Sequence, residues 1–257
     1  MDVSLVAAVL SGALVALLLT LFGGGGSVLA TPLLLYAVGI KDPHVAIGTS
    51  AAAVAINAAV GLAAQAKAGR VKWPCALTFG APGLIGSLAG AHLAKAVAGN
   101  HLLAWFALAM AMVGLSMFRA PRALGDPEVH IDPAKALRLV PAGAATGLAA
   151  GFFGIGGGFL IAPGLMAATS MTLANAAASS LVSVALFGAA TSVSYAASGL
   201  VDWTMLLALA GGGLAGVAAG ARLAPRLASR VLLARRLFAG MIVATAAYVA
   251  WRALFST

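Results

Sequence analysis

Two glycine-rich stretches hold the residues best placed for chemistry: FGGGGSVLATP at 22–32 and FGIGGGFLIAP at 153–163, each inside an otherwise apolar run. Backbone that leaves the helix at membrane depth needs protein or a water-filled cavity to satisfy its polar groups. Where the helix restarts, its first N–H groups are unpaired and carry the positive end of the helix dipole. That is anion-binding chemistry. Gly25, Gly26 and Ser27 from the first stretch, with Gly156, Gly157 and Gly158 from the second, are the expected contacts, because glycine lets the backbone approach a ligand closely. Farther along stand Thr49 and Ser50, then Ser179 and Ser180, whose hydroxyls can reach the same spot, and Asn57 adds an amide within its span. Any one of these side chains is as readily a helix-to-helix hydrogen bond, and a single glycine run as readily a packing site. The doubling is what speaks for a ligand.

Other chemistries lack their residues. Asp42, Asp126, Glu128, Asp132 and Asp202 all fall in connections between apolar runs, which leaves no carboxylate to bind a cation or carry a proton within a span. His44, His92, His101 and His130 show no metal-ligand spacing, and Cys75 is the single cysteine, so neither a metal site nor an intrachain disulfide is expected. GGGLAG at 211–216 fits GxGxxG, but no strand precedes it and no GK[ST] follows any glycine run, which excludes nucleotide loops. No nucleophile, base and orienter occur together, so an enzyme is not expected, and no cofactor is called for. Neutral donors and helix ends suit an anion that must leave again, and an inside-negative potential alone drives one outward. Import would need a coupling proton, for which His44, His92 or Asp202 are the best of poor candidates.

The elements that position these residues are membrane helices. Of 257 residues 62% are hydrophobic and 8% charged, the mean hydropathy is +1.06, and apolar runs near the ~20 residues of a bilayer-spanning helix recur throughout. The net charge of +9 comes from Lys and Arg in the gaps between runs, where lipid and orientation want them, and nucleic acid is not the expected partner. Val3 onward is apolar with no Lys or Arg before Lys41, so the amino terminus reads as retained structure rather than a cleaved signal.

The chain is also written twice. A shift of 130 or 131 positions lays the second glycine stretch on the first, AAASS at 176–180 on AIGTS at 46–50, GLVDW at 199–203 on GRVKW at 69–73, and GARLA at 220–224 on GAHLA at 90–94. Each half reads as one run ending at the glycines (4–22; 136–153), a short piece (27–39; 158–170) and three spans (44–66, 74–94, 101–118; 175–198, 204–224, 234–253). The short piece, at ~18 Å of helix, cannot cross a ~30 Å core. The expected domains are a first repeat at 1–119, a cytoplasmic connection at 120–135 and a second repeat at 136–257. Gly86 and Gly90, with their equivalents Gly216 and Gly220, form GxxxG pairs that predict close helix contacts.

Charge sets the orientation. The gap at 67–72 holds Lys67, Arg70 and Lys72 where its equivalent at 199–203 holds only Asp202, and the gap after Lys95 is poor where 222–236 holds five arginines. Equivalent loops are therefore expected on opposite sides, with both termini outside if 67–72 is cytoplasmic; the alternative, eight plain helices in two parallel repeats, would leave these charges unexplained. The expected fold class is an all-α polytopic membrane protein of two inverted-topology repeats, each a Gly-broken re-entrant hairpin plus three transmembrane helices.

FGGGGSVLATPLLL followed by AIGTS, then FFGIGGGFLIAPGL followed by AAASSL and the GLVDW turn, resembles the TauE/SafE family of sulfite and organosulfonate permeases over essentially the whole chain. Two departures are GGGG where FG-x-GG is common and Ser179 where threonine is common. The resemblance implies a bacterial cytoplasmic-membrane permease that moves small sulfur-containing anions such as sulfite, usually outward, and it carries the cradle onto Gly25, Gly26, Ser27, Thr49, Ser50, Gly156, Gly157, Gly158, Ser179 and Ser180; the two repeats are expected to rock around that cradle to alternate access. The alternatives are an anion channel and an accessory protein that delivers a sulfur species to a partner enzyme. Membrane lipid is the other expected partner, and a homodimer is one assembly this allows.

Overall fold

Several long helices begin at a polar cap. Asp42 Oδ1 accepts from the His44 N–H at 2.8 Å, with Pro43 as the first helical residue, Asp132 Oδ1 accepts from the Lys135 N–H at 2.7 Å ahead of Pro133, and Thr172 Oγ1 accepts from the Asn175 N–H at 3.2 Å. From these starts the computed structural model, which describes residues 3–118, 125–126, 128–154, 158–227 and 231–255, builds an all-helical chain. The helices are α1 (Val3–Phe22), α2 (Ala30–Leu33), α3 (Pro43–Lys67), α4 (Trp73–Lys95), α5 (Gly99–Met117), α6 (Pro133–Phe153), α7 (Gly158–Thr169), α8 (Leu173–Ala196), α9 (Trp203–Leu227) and α10 (Val231–Phe255). Among the described residues the only extended pairing is an isolated bridge between Asp126 and Met171.

Seven of these helices, α1, α3, α4, α5, α6, α8 and α9, are long and apolar enough to cross a membrane. The eighth expected span, α10, is a 25-residue helix whose sequence carries arginines near both ends. Gly25–Val38 and Leu160–Thr169 are shorter apolar helices, in the places where the sequence predicts short pieces.

The helices meet through glycine. Gly212, Gly216 and Gly220 of α9 sit on Val9, Ala13 and then Leu17 and Thr20 of α1, so these two helices run parallel. In α4 and α6, Phe79 meets Gly143, Gly83 meets Gly147 and Ser87 meets Gly151, while Gly86 and Gly90 rest on Ala144, Leu148 and Phe152. Backbone lies on backbone with no room for a Cβ, the close approach that holds membrane helices together where lipid removes the hydrophobic incentive to associate. The GxxxG expectation for Gly86, Gly90, Gly216 and Gly220 is met by these contacts.

Two pairs run the other way. Gly48 of α3 lies against Tyr195 of α8, Ala51 and Ala55 against Gly188, and Gly61 against Leu181. In the same manner Leu103 and Ala107 of α5 cluster with Val249 of α10, and Gly114 packs on Ile242 and Val243. Rising numbers on one helix meet falling numbers on the other, so α3 and α8 are antiparallel, as are α5 and α10. The largest buried cluster unites the two halves, with Val28, Leu29 and Ala30 packed beside Phe79, Ile161, Leu165, Phe187 and Phe238.

A candidate anion site at the glycine breaks

Gly23 and Gly154 end α1 and α6 in the left-handed conformation, at φ +68° and +66°. Only glycine holds that conformation without strain, and it stops a helix. Each is seated on the opposite half of the chain: a Cβ at Gly23 would lie 2.7 Å from Ala177 Cα of α8, and one at Gly154 would run into Ile47 of α3. Ala177 and Ile47 are themselves equivalent positions of the repeat. The two breaks thus lock into two matching places.

After Gly23 the chain differs from expectation. GGGGSVL is not unwound but forms a 3₁₀ helix from Gly23 to Leu29, continuing as α2 and a single π-helical turn, Leu34–Val38, that ends at left-handed Gly39. A 3₁₀ helix pairs each N–H three residues back, so fewer amides are left pointing away than a fully unwound run would expose. Gly26 lies on the Leu18–Leu19 backbone of α1, and a Cβ at Gly25 would sit 3.1 Å from the Phe238 ring. Ser27 is fully buried. In the second half, Gly156 and Gly157 fall outside the described residues, and α7 restarts at Gly158. α7 packs directly against the Gly23–Leu29 stretch, so the two broken elements meet.

The hydroxyls beyond the breaks are engaged. Thr49 Oγ1 accepts a 2.9 Å bond from the Asp202 N–H at the start of α9, and Ser179 Oγ accepts one of the same length from the Lys72 N–H at the start of α4. Ser50 and Ser180 bond back to Ile47 O and Ala177 O at 3.0 and 2.8 Å, and Thr31 reaches Ser50 at 2.8 Å. The antiparallel register of α3 on α8 puts the Thr49–Ser50 pair and the Ser179–Ser180 pair toward opposite ends, each ~10 Å from the level of Asn57 and Phe187 at 1.5 Å per residue. The expected convergence of all four hydroxyls on one point is corrected accordingly. Antiparallel packing of equivalent helices separates equivalent residues in proportion to their distance from the centre.

Near that centre is Asn57, 1% exposed, its amide against Gly213 of α9 and its Oδ1 without a partner. The equivalent position is Phe187, lying on Gly83, the equivalent of Gly213. The repeat thus carries an amide on one side and a phenyl ring on the other. Sequence reasoning passed over Thr31, which sits in the restarting helix, and Thr191, a buried hydroxyl of α8 visible only as part of a spacing pattern.

Charge stays at the rims. Among the described residues no three His, Cys, Asp or Glu groups come together as a metal site. Asp132 lies outside the spans, where the Lys135 N–H and ammonium, the latter 3.1 Å from the carboxylate, hold its carboxyl below the usual range. Asp126 N–H donates to Ser170 O at 2.8 Å and so ties the middle connection to the α7–α8 turn.

Residues 8–249 match the family described as sulfite exporter TauE/SafE. A probable membrane transporter protein of Xylella fastidiosa (strain Temecula1) is 45% identical over 250 residues, covering 97% of this chain and 96% of that protein. A counterpart from strain 9a5c of that species is 46% identical over the same coverage. The probable membrane transporter protein YunE of Bacillus subtilis is 27% identical over 240 residues, covering 83% of this chain and 86% of its own length. No solved structure matches the chain significantly.

Proposed function

The chain belongs to the sulfite exporter TauE/SafE family, and from that premise we propose that it is a secondary transporter that carries small sulfur-containing anions, sulfite or an organosulfonate, outward across the bacterial cytoplasmic membrane. The observation that carries this reading is the pair of left-handed glycines, Gly23 and Gly154, each ending a span and each seated on the opposite half. In this reading the anion lies where α7 meets the Gly23–Leu29 stretch, with Ser27 and the first N–H groups of α7 at Gly158 as donors. Asn57 stands at the centre of the path.

The two halves are inverted repeats that rock about this place to alternate access. The antiparallel crossings of α3 on α8 and α5 on α10 support the inversion, since helices related by a two-fold axis in the membrane plane must oppose each other. Thr49 and Ser179 act as the joints. Each binds the first turn of a span in the other half, so rocking of one repeat on the other has to pivot at, or break, these two bonds. The register also supports both termini lying outside: following α3, α4, α8 and α9 end to end gathers Lys67, Arg70 and Lys72 with Arg222 near the end of α9 and Arg236 in α10 at one face, the cytoplasmic one by the positive-inside rule. A negative ion leaving along the inside-negative potential gains ~2.3 kcal/mol per 100 mV, enough to drive export without a coupled ion.

The test is flux of labelled sulfite in proteoliposomes against a panel of competing oxyanions and carboxylates. Saturable, competed flux is the expected result. Absence of flux of any anion indicates an accessory protein, and flux that does not saturate indicates a channel. Substitution of Gly26 is a poor probe here, because a Cβ would strike the α1 backbone whether or not a ligand is near.

A further inference from the structure

Hydroxyls on these helices commonly return their proton to the preceding turn, as buried Thr20 does to Ala16 O and Thr169 to Leu165 O, and half-buried Thr146 to Ala142 O and Thr245 to Met241 O. Three neighbouring side chains near the end of α8 do not. Thr191 Oγ1, Ser194 Oγ and the Tyr195 hydroxyl have no hydrogen-bond partner, although Thr191 and Tyr195 are fully buried and Ser194 is 8% exposed. Leaving one such group unpaired is costly, and a cluster of three calls for a partner that comes and goes.

Beside them stands a cation. Lys95, the last residue of α4, lays its ammonium across the end of α8, donating to Ser194 O at 3.0 Å and Ser198 Oγ at 3.1 Å and lying 5.9 Å from the centre of the Tyr195 ring. A lysine at the end of a membrane helix ordinarily extends toward the headgroups. An ammonium has three donors, and these two bonds leave one. His44 completes the wall, its ring 6.3 Å from that of Tyr195 and its buried Nδ1 also unpartnered.

The register defines where this group sits. Gly80 faces Ser183, Gly83 faces Phe187 and Lys95 reaches Ser198, so α4 and α8 run parallel, and residues 183, 187, 191, 194 and 198 recur every three or four positions along one face of α8. Phe187, fully buried, lies between Ser183 and the cluster at 191–198.

We infer that Lys95 and the hydroxyls of Thr191, Ser194 and Tyr195 form a second station for a small oxyanion at the Lys95 end of the α4–α8 seam, on the far side of Phe187 from Ser183. Charge selects the ligand: the ammonium repels cations, and the three hydroxyls have protons to donate. The C-terminal carbonyls of α8 oppose an anion with about half a unit charge. Lys95 bonds one of those carbonyls directly and brings a full positive charge, so attraction prevails. The station takes from the proposed function only that a small anion crosses the bilayer. Its own footing is the unpaired hydroxyls and the lysine bonded across the end of α8.

The test compares wild type with Lys95→Gln, Lys95→Arg, Thr191→Val and Tyr195→Phe in two measurements. In proteoliposomes, the half-saturation concentration for labelled sulfite should rise about tenfold in Lys95→Gln and about threefold in Thr191→Val and Tyr195→Phe, with maximal rates within about twofold and with Lys95→Arg close to wild type. In detergent, sulfite should protect Lys95 of the wild type from a small amine-reactive reagent, read by peptide mass spectrometry. Unchanged half-saturation in the near-isosteric Thr191→Val and Tyr195→Phe variants, with wild-type flux intact, overturns the station even if Lys95→Gln fails to fold. If the wild type moves no sulfite, the transport reading falls for that anion, and protection by sulfite, sulfate or thiosulfate still decides the station: protection upholds it and its absence with all three overturns it.

Discussion

The Thr49 hydroxyl of α3 accepts a 2.9 Å hydrogen bond from the backbone N–H of Asp202, which lies 153 residues later at the start of α9. Ser179 and Lys72 repeat the bond from the other half at the same length. Both donors precede the first turn of a helix, where N–H groups lack intrahelical acceptors. Each half therefore supplies a side-chain acceptor for the backbone at the start of a helix of the other half, at α9 in addition to the helix's own cap, in which Asp202 Oδ1 accepts from the Met205 N–H at 3.0 Å.

Thr49→Val, which keeps the shape and removes the acceptor, should lower stability by about 1 kcal/mol by leaving the Asp202 N–H unpaired, and Thr49→Ser should restore most of the loss. Thermal melts of the purified protein in detergent measure this. Because the bond sits at a proposed pivot, the valine variant should also change transport rate, and an unaltered rate would remove Thr49 from the moving parts.

Gly154→Ala and Gly199→Ala separate strain from packing. Both positions have φ near +70°, but a Cβ at Gly154 strikes Ile47, whereas nothing lies near Gly199. Gly199→Ala should cost about 1 kcal/mol from the backbone alone, and Gly154→Ala clearly more, visible as loss of a monodisperse peak in size-exclusion chromatography.

Asn57→Leu distinguishes a structural amide from a functional one. Its Oδ1 is buried and unpaired, so an apolar residue of similar volume should leave stability unchanged or raise it by about 1 kcal/mol. If Asn57 lines the path, flux should nonetheless fall at least about tenfold, a barrier change of roughly 1.4 kcal/mol. Full flux in a stable variant would place Asn57 outside the path.

Asp132→Asn gives a pH signature. The wild-type carboxyl titrates below its ordinary value, so its stabilising effect is present above the unfolded-state pKa, near 3.9, and is lost as pH falls through the lower folded value. Wild type should melt higher than Asp132→Asn at neutral pH, by a small margin at this exposed cap, and the two curves should converge in strong acid.

Ala68→Cys and Ala197→Cys, in a Cys75→Ala background, occupy nearly equivalent turns of the two halves. Both side chains are exposed, while native Cys75 is buried. In intact cells a membrane-impermeant maleimide should label the cysteine at 197 and reach the one at 68 only after permeabilisation. Labelling of both from one side contradicts the inverted arrangement.

Local signals were legible where the physics is local. The run predicted at 44–66 is α3 at Pro43–Lys67, and the run at 74–94 is α4 at Trp73–Lys95, because a helix lets a single apolar stretch in lipid pair its backbone within itself. The paired breaks were legible as well, since Gly23 and Gly154 occupy the same place in a repeated motif. The 3₁₀ course of Gly23–Leu29 was not. Four glycines permit many backbone paths, and the choice among them rests on contacts with Leu18, Leu19 and Phe238, which belong to other parts of the chain.

By itself the amino-acid order determined a membrane protein of repeated halves, the span of each helix, the glycine positions at which helices stop and meet, and the family likeness. Folding in three dimensions decided which hydroxyls cap a helix of the opposite half, which remain unpaired beside Lys95, and how far apart Ser50 and Ser180 stand. Hydropathy and backbone pairing act over neighbouring residues and can be read along a line. A side-chain oxygen finds its partner only when two distant segments are brought within about 3 Å, and whether those segments cross parallel or antiparallel sets which residues can meet.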